Sequence, residues 1–493
     1  MSEKILLHYR NLPYTVEREI NDLFILLGYI ITNQATDDLY GELYLDRRMS
    51  NKAFSIYVVK FIILKEEKNI LKNFTYSSAM TRGEFFQKLK YAIVTIMLDA
   101  GLEFDLPWGI LTGVRPVKLA YRIKQRGCDL QKVLHQDYLV SRENVELLKT
   151  VLERQEKFLP LSDESVAIYI HIPYCPSRCL YCSFPSGIMP DNDEFQQNFC
   201  LGVEEDIAAV VQLISMHGLS VNSVYIGGGT PTSLSDKYFA RLIAKAAILL
   251  DYGCDVEFTV EAGRPDTFSL EKLVIMKEFG VDRISINSQT MHERTLALIG
   301  RNHSIKSLID AVNATQRVGI KHINMDLIIG LPNETVGDIT YSVREVLDLE
   351  PDNFTVHTLA LKNGAPLYDC QNKYSFIGMQ EVEQLLTEIK TMASKQAYFP
   401  YYLYRQHYML SQVANIGFAK DGTECLYNII MMGEYGSVIG AGLGAATKIL
   451  AKDGYHLSKL YLPKNYGEYQ KEFKQLLAKR EKMFINRYEW GNR

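Results

Sequence analysis

Three observations predict an α/β protein built around a partial six-unit (β/α) barrel. From Val166 onward, short runs rich in β-branched and aromatic residues alternate with longer helical patterns. The alternation repeats six times, two units short of the eight that close a barrel, so an open barrel is expected, although a flat doubly wound sheet fits the same alternation. The residues on either side change character, which predicts an N-terminal α+β domain and a C-terminal α/β appendage.

The expected N-terminal domain covers residues 1–160. It begins with an apolar segment over 5–9 and a helix over 16–27, and the β-branched and aromatic run over 54–64 reads as a strand. Phe85, Phe86, Leu89, Ile93, Ile96, Met97 and Ala100 recur at helical spacing and predict an amphipathic helix with one buried face. The stretch from Trp108 to Lys118 combines turn glycines with two cations, which suits either contact with an acidic ligand or a solvated loop, and composition favours the loop. Pro160 and the Ser-Asp-Glu-Ser run after it mark the boundary.

The core is expected over 161–375, with strands at 166–172, 223–226, 257–261, 283–287, 323–328 and 353–361 and helices such as 196–214 and 336–347 between them. Because βα crossovers are right-handed, these strands run parallel and their C-terminal ends carry the site loops. The remainder, 376–493, contains a helix over 379–395, a tyrosine-rich run over 398–405 and a glycine-rich segment over 440–444. It is expected to cover the barrel mouth, and its charged tail from Lys464 to Arg493 to form one surface helix.

Composition limits the function classes. The chain has 493 residues, 47% hydrophobic and 23% charged, far from the signature of disorder. Its formal net charge of −4 calls for neither a nucleic acid nor an anionic membrane as partner. A membrane helix needs about 20 consecutive apolar residues. Lys60 interrupts the run over 54–64, Glu434 and Lys448 bound the one near Ile439, and Arg10 ends the first. A cytoplasmic location is expected. Eight cysteines are too few for a disulfide scaffold, and three of them cluster, at Cys175, Cys179 and Cys182.

That cluster is the main chemical signal. It lies in Tyr169-Ile170-His171-Ile172-Pro173-Tyr174-Cys175-Pro176-Ser177-Arg178-Cys179-Leu180-Tyr181-Cys182, directly after the first expected core strand. Three thiolates on a compact loop suit three irons of a [4Fe–4S] cubane and leave the fourth open. Structural zinc takes four protein ligands. Cys200, Cys254, Cys370 and Cys425 are distant in sequence, and His171 would complete a zinc set only by turning back toward a loop four residues on. A second signal, Gly227-Gly228-Gly229-Thr230, ends the second strand, where residues without side chains let a ligand approach the backbone. Glu261, Gln289, Arg301 and Asp326 stand at or just beyond later strand ends. Any one of them reads equally well as a helix cap or ion-pair partner; together at successive strand ends they read as a site.

The cysteine spacing, with aromatic Tyr181 before the third thiol, resembles the radical S-adenosylmethionine enzymes. Membership implies a [4Fe–4S] cluster on Cys175, Cys179 and Cys182 whose open iron is chelated by S-adenosylmethionine, cleaved on reduction to a 5′-deoxyadenosyl radical. The order of the later residues resembles the oxygen-independent coproporphyrinogen III oxidase family. That resemblance implies cofactor contacts at Tyr169, Tyr181, Gly228, Gly229, Thr230, Glu261, Gln289, Arg301, Asp326 and Ala360. It covers about 166–361 and reaches 440–444, and the long N-terminal part with the Leu403-Tyr404-Arg405-Gln406 segment looks like the HemZ branch, the coproporphyrinogen dehydrogenases. The implied reaction is oxidative decarboxylation of propionates to vinyl groups in porphyrin and haem biosynthesis. A tetrapyrrole substrate and an electron donor such as flavodoxin or ferredoxin go with it.

One position departs from this pattern. Family oxidases carry a further cysteine two residues after the third ligand, where this chain has Phe184. Ser183-Phe184 looks more like the sister haem-chaperone branch, yet that branch's His-Asn pair followed by Tyr-Trp is absent, the stretch reading Leu426-Tyr427-Asn428-Ile429. A haem chaperone or a haem-modifying enzyme on the same scaffold is the alternative. For the substrate carboxylates, Arg405 beside Tyr401, Tyr402 and Tyr404 is the candidate anchor, against the alternative of a solvent-facing arginine on a sheet edge.

Overall fold

The computed structural model describes residues 4–10, 15–32, 39–50, 54–64, 68–77, 80–113, 115–184, 187–406, 409, 412–454 and 456–487. Val114 of the Trp108 stretch and residues 488–493 of the expected tail helix lie outside them. The chain divides into two compact units, Met1–Lys149 and Thr150–Arg493. Among the described residues, no helix is long and apolar enough to cross a membrane.

In the first unit, strands β1 (Lys4–Arg10), β2 (Ile30–Thr32), β3 (Leu39–Ser50), β4 (Phe54–Ile63) and β5 (Lys68–Ser77) form a sheet in the order β2-β1-β3-β4-β5. The helices Glu17–Leu26 and Arg82–Asp99 pack onto it. The second starts at Thr81, whose side chain accepts from the Glu84 backbone while Glu84 reaches back, a reciprocal pairing that satisfies two otherwise unmade donors. Phe85, Phe86, Leu89, Ile93, Ile96, Met97 and Ala100 are all buried, as their spacing predicts. Trp108 and Ile110 are buried as well. Gly109 has φ +54°, and a Cβ there would lie 2.0 Å from the Tyr138 carbonyl oxygen, so that stretch opens as a packed turn.

The second unit is organised by one open sheet of eleven strands. Its core starts with β6 (Ser165–Ile172), followed, after the short pair β7 (Tyr174–Cys175) and β8 (Gly187–Ile188), by β9 (Ser220–Gly228), β10 (Glu257–Glu261), β11 (Arg283–Ser285), β12 (His322–Ile329) and β13 (Asn353–Thr358). These six core strands pair in sequence order and all in parallel, with helices such as Asp193–His217 and Val336–Asp348 between them. Burial along them alternates. On β6, Ile168, Ile170 and Ile172 are fully buried, whereas Tyr169 and His171 are half-buried on the opposite face. The same two-residue period exposes Asn324 and Asp326 on β12 and His357 on β13. One face of each strand is therefore core and the other is cavity.

The residues after 376 lengthen the sheet at both edges. On one side β14 (Phe399–Tyr404) and β15 (Asn415–Ala419) continue antiparallel from β13. On the other, β16 (Ser437–Ala441) adds a seventh parallel strand against β6, followed by antiparallel β17 (Ala446–Leu450) and β18 (Leu457–Tyr461). The glycine-rich run is thus half strand, half turn. The tail helix, Tyr466–Asn486, lies on the surface as expected and is docked by one face, Tyr469, Leu476, Arg480 and Phe484. Fully buried Asp206 accepts from Arg480 at 2.8 Å, from the Tyr469 hydroxyl at 2.8 Å and from the Gly442 backbone at 2.8 Å. Removing one member of so buried a pair costs on the order of 3–5 kcal/mol, because the other charge stays behind unpaired.

Candidate active site

A cavity of about 450 Å³ opens at the C-terminal ends of the parallel strands, a size within the usual range for small-molecule sites. Cys175, Cys179 and Cys182 all line it, on the loop after β6. Their loop is tied down on several sides. Leu180 N–H donates to the Ile299 carbonyl at 2.9 Å and Leu367 N–H to the Leu180 carbonyl at 2.9 Å, while the Ser177 hydroxyl donates to the Gly300 carbonyl at 3.1 Å. Thr230 Oγ1 donates to Cys175 Sγ at 3.4 Å, and Arg264 Nη1 to Cys179 Sγ at 3.6 Å. Arg264 is itself fixed by Asp266, with Nε–Oδ1 at 3.0 Å and Nη2–Oδ2 at 2.9 Å. Burial pushes the Cys182 thiol above its ordinary value, an effect the neighbouring thiols reinforce. Among the described residues no group of three or more His, Cys, Asp or Glu side chains is placed to hold a single metal ion.

The three glycines after β9 are each demanded by the groups that lie against them. A Cβ on Gly227 would stand 2.6 Å from the Glu261 carboxylate carbon, and one on Gly229 would stand 2.4 Å from the Tyr174 carbonyl oxygen. Gly228 has φ +112°, and its Cβ would meet His171 Cδ2 at 2.1 Å. A turn alone would not need so close an approach. His171, expected from the strand direction to face away from the cysteines, lines the same cavity. Its Nδ1 is held by the Leu443 carbonyl at 2.6 Å, so Nδ1 carries the proton and Nε2 is left as the acceptor. Burial holds its pKa below the ordinary imidazole value.

Glu261 ends β10 and is the best-anchored acid of the site. It accepts from the Tyr225 hydroxyl at 2.7 Å and from the Gly228 N–H at 3.0 Å. Burial raises its pKa to about 7; those two hydrogen bonds oppose the rise, Asp326 adds to it and His357 reduces it. A carboxyl whose folded pKa exceeds its unfolded value stabilises the fold fully below pH 4.5 and loses that contribution as pH rises toward 7. Without ligand, the stability of the wild type relative to Glu261→Gln will fall across this window by on the order of 2–3 kcal/mol. Parallel pH–stability curves from denaturant titration would contradict it.

The remaining acid, Asp326 on β12, accepts from Asn324 Nδ2 at 3.0 Å and faces His357 Nε2 at 3.7 Å. Gln289 comes after β11 at φ +64°. Its backbone bridges to β12, with N–H donating to the Asp326 carbonyl at 2.7 Å and carbonyl accepting from Ile328 N–H at 3.0 Å. Arg301 is buried, donates from Nη1 to the Gly263 and Asn287 carbonyls, and faces Tyr181 and Cys179. Burial pushes the Tyr181 phenol well up. Tyr169 stacks on Tyr427 with centroids 5.9 Å apart, and Tyr427 on Tyr225 at 4.4 Å, which builds an aromatic floor beside Glu261. Gly228, Gly229, Thr230, Glu261, Gln289, Arg301, Asp326, Ala360, Tyr169 and Tyr181 all line the one cavity.

Arg405 is not among the lining residues. Beyond the bulge at Tyr401, strand alternation on β14 turns Tyr402 and Tyr404 toward the cavity, and Arg405, after the strand end, falls on the other side. The β15 residue opposite is Gly417, where a Cβ would lie 1.8 Å from the Tyr402 ring, so the ring lies flat across it. Burial lowers the Arg405 pKa to about 10. The cavity also has lining residues that the sequence pattern did not single out: Arg264, Asn287, Asn324, His357 and Lys362. Asn324 and His357 lie within reach of the two-residue period that Asp326 and the β13 pattern obey.

The donor set fits the cofactors implied by the resemblance. Three thiols line the cavity, with no fourth beside them among the described residues. Buried polar atoms on the lining residues are left without a partner, Gln289 Oε1, Asn324 Oδ1 and Thr358 Oγ1 among them. Buried polar atoms are rarely left unmade, so these are groups that await a polar ligand.

The family model of the radical SAM superfamily matches residues 169–346. A Bacillus subtilis protein named oxygen-independent coproporphyrinogen-III oxidase-like protein HemZ is 35% identical over 409 residues, 81% of this chain and 81% of its own. The chain belongs to the radical SAM superfamily, in the HemN/HemZ family. The haem chaperone HemW of Escherichia coli is 28% identical over 339 residues, 66% of this chain and 82% of its own. The solved coproporphyrinogen III oxidase HemN of Escherichia coli, described as a radical SAM enzyme, aligns at a TM-score of 0.51 and 20% identity. It covers 65% of this chain and 72% of its own, a likeness of fold. Within this family the cavity, its thiol loop and its glycine cradle occupy the end of the sheet where α/β folds place their sites.

Proposed function

We propose that this chain is an oxygen-independent coproporphyrinogen III dehydrogenase, converting propionate side chains of a porphyrinogen to vinyl groups. The observation that carries the reading is the meeting, in one cavity, of a three-thiol loop, a glycine cradle and a tyrosine wall. The resemblance of 35% to a HemZ protein over most of both chains supports it. Cys175, Cys179 and Cys182 would hold a [4Fe–4S] cluster; Tyr169, Tyr181, Gly228, Gly229, Thr230, Glu261, Gln289, Arg301, Asp326 and Ala360 would receive S-adenosylmethionine. Bound together and reduced, these groups supply a hydrogen-abstracting radical.

The chain's own residues bind, orient and exclude water. Gly228 and Gly229 let a ligand reach the backbone, and Glu261, pre-set by Tyr225 and Gly228, offers a carboxylate in a dry setting to a cationic or hydroxylic ligand group. Arg264 and Arg301 stand beside Cys179. Ile328 and Leu359 give the cavity an apolar flank. Each propionate converted gives up one hydrogen atom, one carbon dioxide and one electron, so an electron acceptor is required as well as a donor such as flavodoxin or ferredoxin. A cytoplasmic location would give the chain access to such a donor.

A second reading, a carrier that holds haem for a client, is favoured by Phe184 and by the HemW relatives. An anaerobic assay with coproporphyrinogen III, reductant and S-adenosylmethionine separates the two. Dehydrogenase activity yields a product lighter by two carboxyl groups together with 5′-deoxyadenosine. Unchanged substrate, with tight haem binding and transfer to an acceptor, would overturn it in favour of the carrier.

A further inference from the structure

A macrocycle with several carboxylates needs a cation that is not already spent, and the cavity has few. Arg264 is paired with Asp266, and Arg301 is turned to the carbonyls of Gly263 and Asn287. Lys362, in the loop after β13, lines the cavity half-buried, and among the described residues the contact its ammonium makes is to a neutral amide, Oε1 of Gln406. Burial holds its pKa below the ordinary lysine value, a cost that an anionic ligand would relieve.

Gln406 is oriented by a run of polar neighbours. Its Nε2 donates to the Tyr404 hydroxyl at 3.3 Å, the hydroxyl pairs with His357 Nδ1 at 3.0 Å, and His357 Nε2 faces Asp326 at 3.7 Å. While accepting from the amide, the hydroxyl can direct its own proton to Nδ1, which leaves the imidazole proton on Nε2, toward Asp326. The wall therefore runs from a cation at Lys362 to an anion at Asp326, its polarity set by a continuous chain of polar contacts. Such a chain leaves the ammonium's other two protons for a ligand.

We propose that Lys362, braced by Gln406, binds a propionate carboxylate of the tetrapyrrole, the role first expected of Arg405. This rests on the dehydrogenase reading of the same cavity. The test is an anaerobic fluorescence titration of the full-length reconstituted protein with coproporphyrin III, the oxidised and fluorescent tetracarboxylate, in wild type, Lys362→Met and Lys362→Arg. S-adenosylmethionine affinity and melting temperature are measured in parallel. The expected result is a tenfold or larger loss of coproporphyrin affinity in Lys362→Met, recovery to within threefold in Lys362→Arg, and S-adenosylmethionine affinity within twofold of wild type. Equal coproporphyrin affinity in wild type and Lys362→Met overturns the assignment while leaving the tetrapyrrole reading intact. A loss confined to S-adenosylmethionine assigns Lys362 to the cofactor and also overturns it. Absence of coproporphyrin binding by the wild type itself overturns both this inference and the tetrapyrrole reading.

Discussion

A Cys179→Ala chain, reconstituted anaerobically with iron and sulfide, will carry no stable [4Fe–4S] centre and release no 5′-deoxyadenosine. Cys179 is the most buried of the three thiols, and both Arg264 and Arg301 converge on it. Among the described residues no other cysteine is placed to substitute. Cys200 donates to the Tyr238 carbonyl at 3.8 Å, Cys425 to Glu257 at 3.2 Å and Cys370 to the Pro366 carbonyl at 3.4 Å, and none of them lines the cavity. Iron and sulfide analysis with visible absorption checks the outcome. A full complement of iron in the variant, or stoichiometric zinc in the wild type with no iron uptake, would be decisive against the cluster.

Gly228→Ala is expected to lower 5′-deoxyadenosine release by at least about 100-fold, the scale of loss that comes from displacing reacting groups by roughly 1 Å. Two costs coincide at this residue. Its φ of +112° is left almost wholly to glycine, a strain of about 1–3 kcal/mol for alanine, and the new methyl group would overlap the His171 ring at 2.1 Å. Relief requires moving the backbone N–H that holds Glu261 or the imidazole that the Leu443 carbonyl holds. Either movement deforms the cradle while the buried side of β9 stays as it was. Release at the wild-type rate by a variant with a wild-type circular dichroism spectrum would show that the close approach has no part in the activity.

The parallel core is legible in the sequence because its signals are local. The six strands announce themselves by β-branched runs at βα spacing, and the residues that matter fall where their C-terminal ends must lie. Glu261, Gln289 and Asp326 come from three separate strands yet line one cavity, since parallel order leaves those ends adjacent. The illegible part is non-local. The pairing of Ser437 with Val166 and of Ala441 with Ile170 joins residues some 270 apart, and nothing in a short glycine-rich run specifies that partner. The same holds for Asp206, whose partners Tyr469 and Arg480 lie near the other end of the chain. Arg405 stays outside the cavity for a different reason. Tyr401, Tyr402, Tyr404 and Arg405 are neighbours in sequence, but a strand divides neighbours between two faces, and only Tyr402 and Tyr404 share the cavity side. Lys362 gives no signal at all, because a single lysine in a loop is ordinary until a cavity forms beside it.

The central claim is that this cavity directs a radical onto the propionate side chain of a porphyrinogen. Its most direct test is isotope transfer: coproporphyrinogen III deuterated at the propionate β-carbons is turned over anaerobically with reductant and S-adenosylmethionine, and the 5′-deoxyadenosine is analysed by mass spectrometry. The predicted result is singly deuterated 5′-deoxyadenosine in step with vinyl formation, absent in Cys179→Ala. Unlabelled 5′-deoxyadenosine beside an intact tetracarboxylate would contradict it.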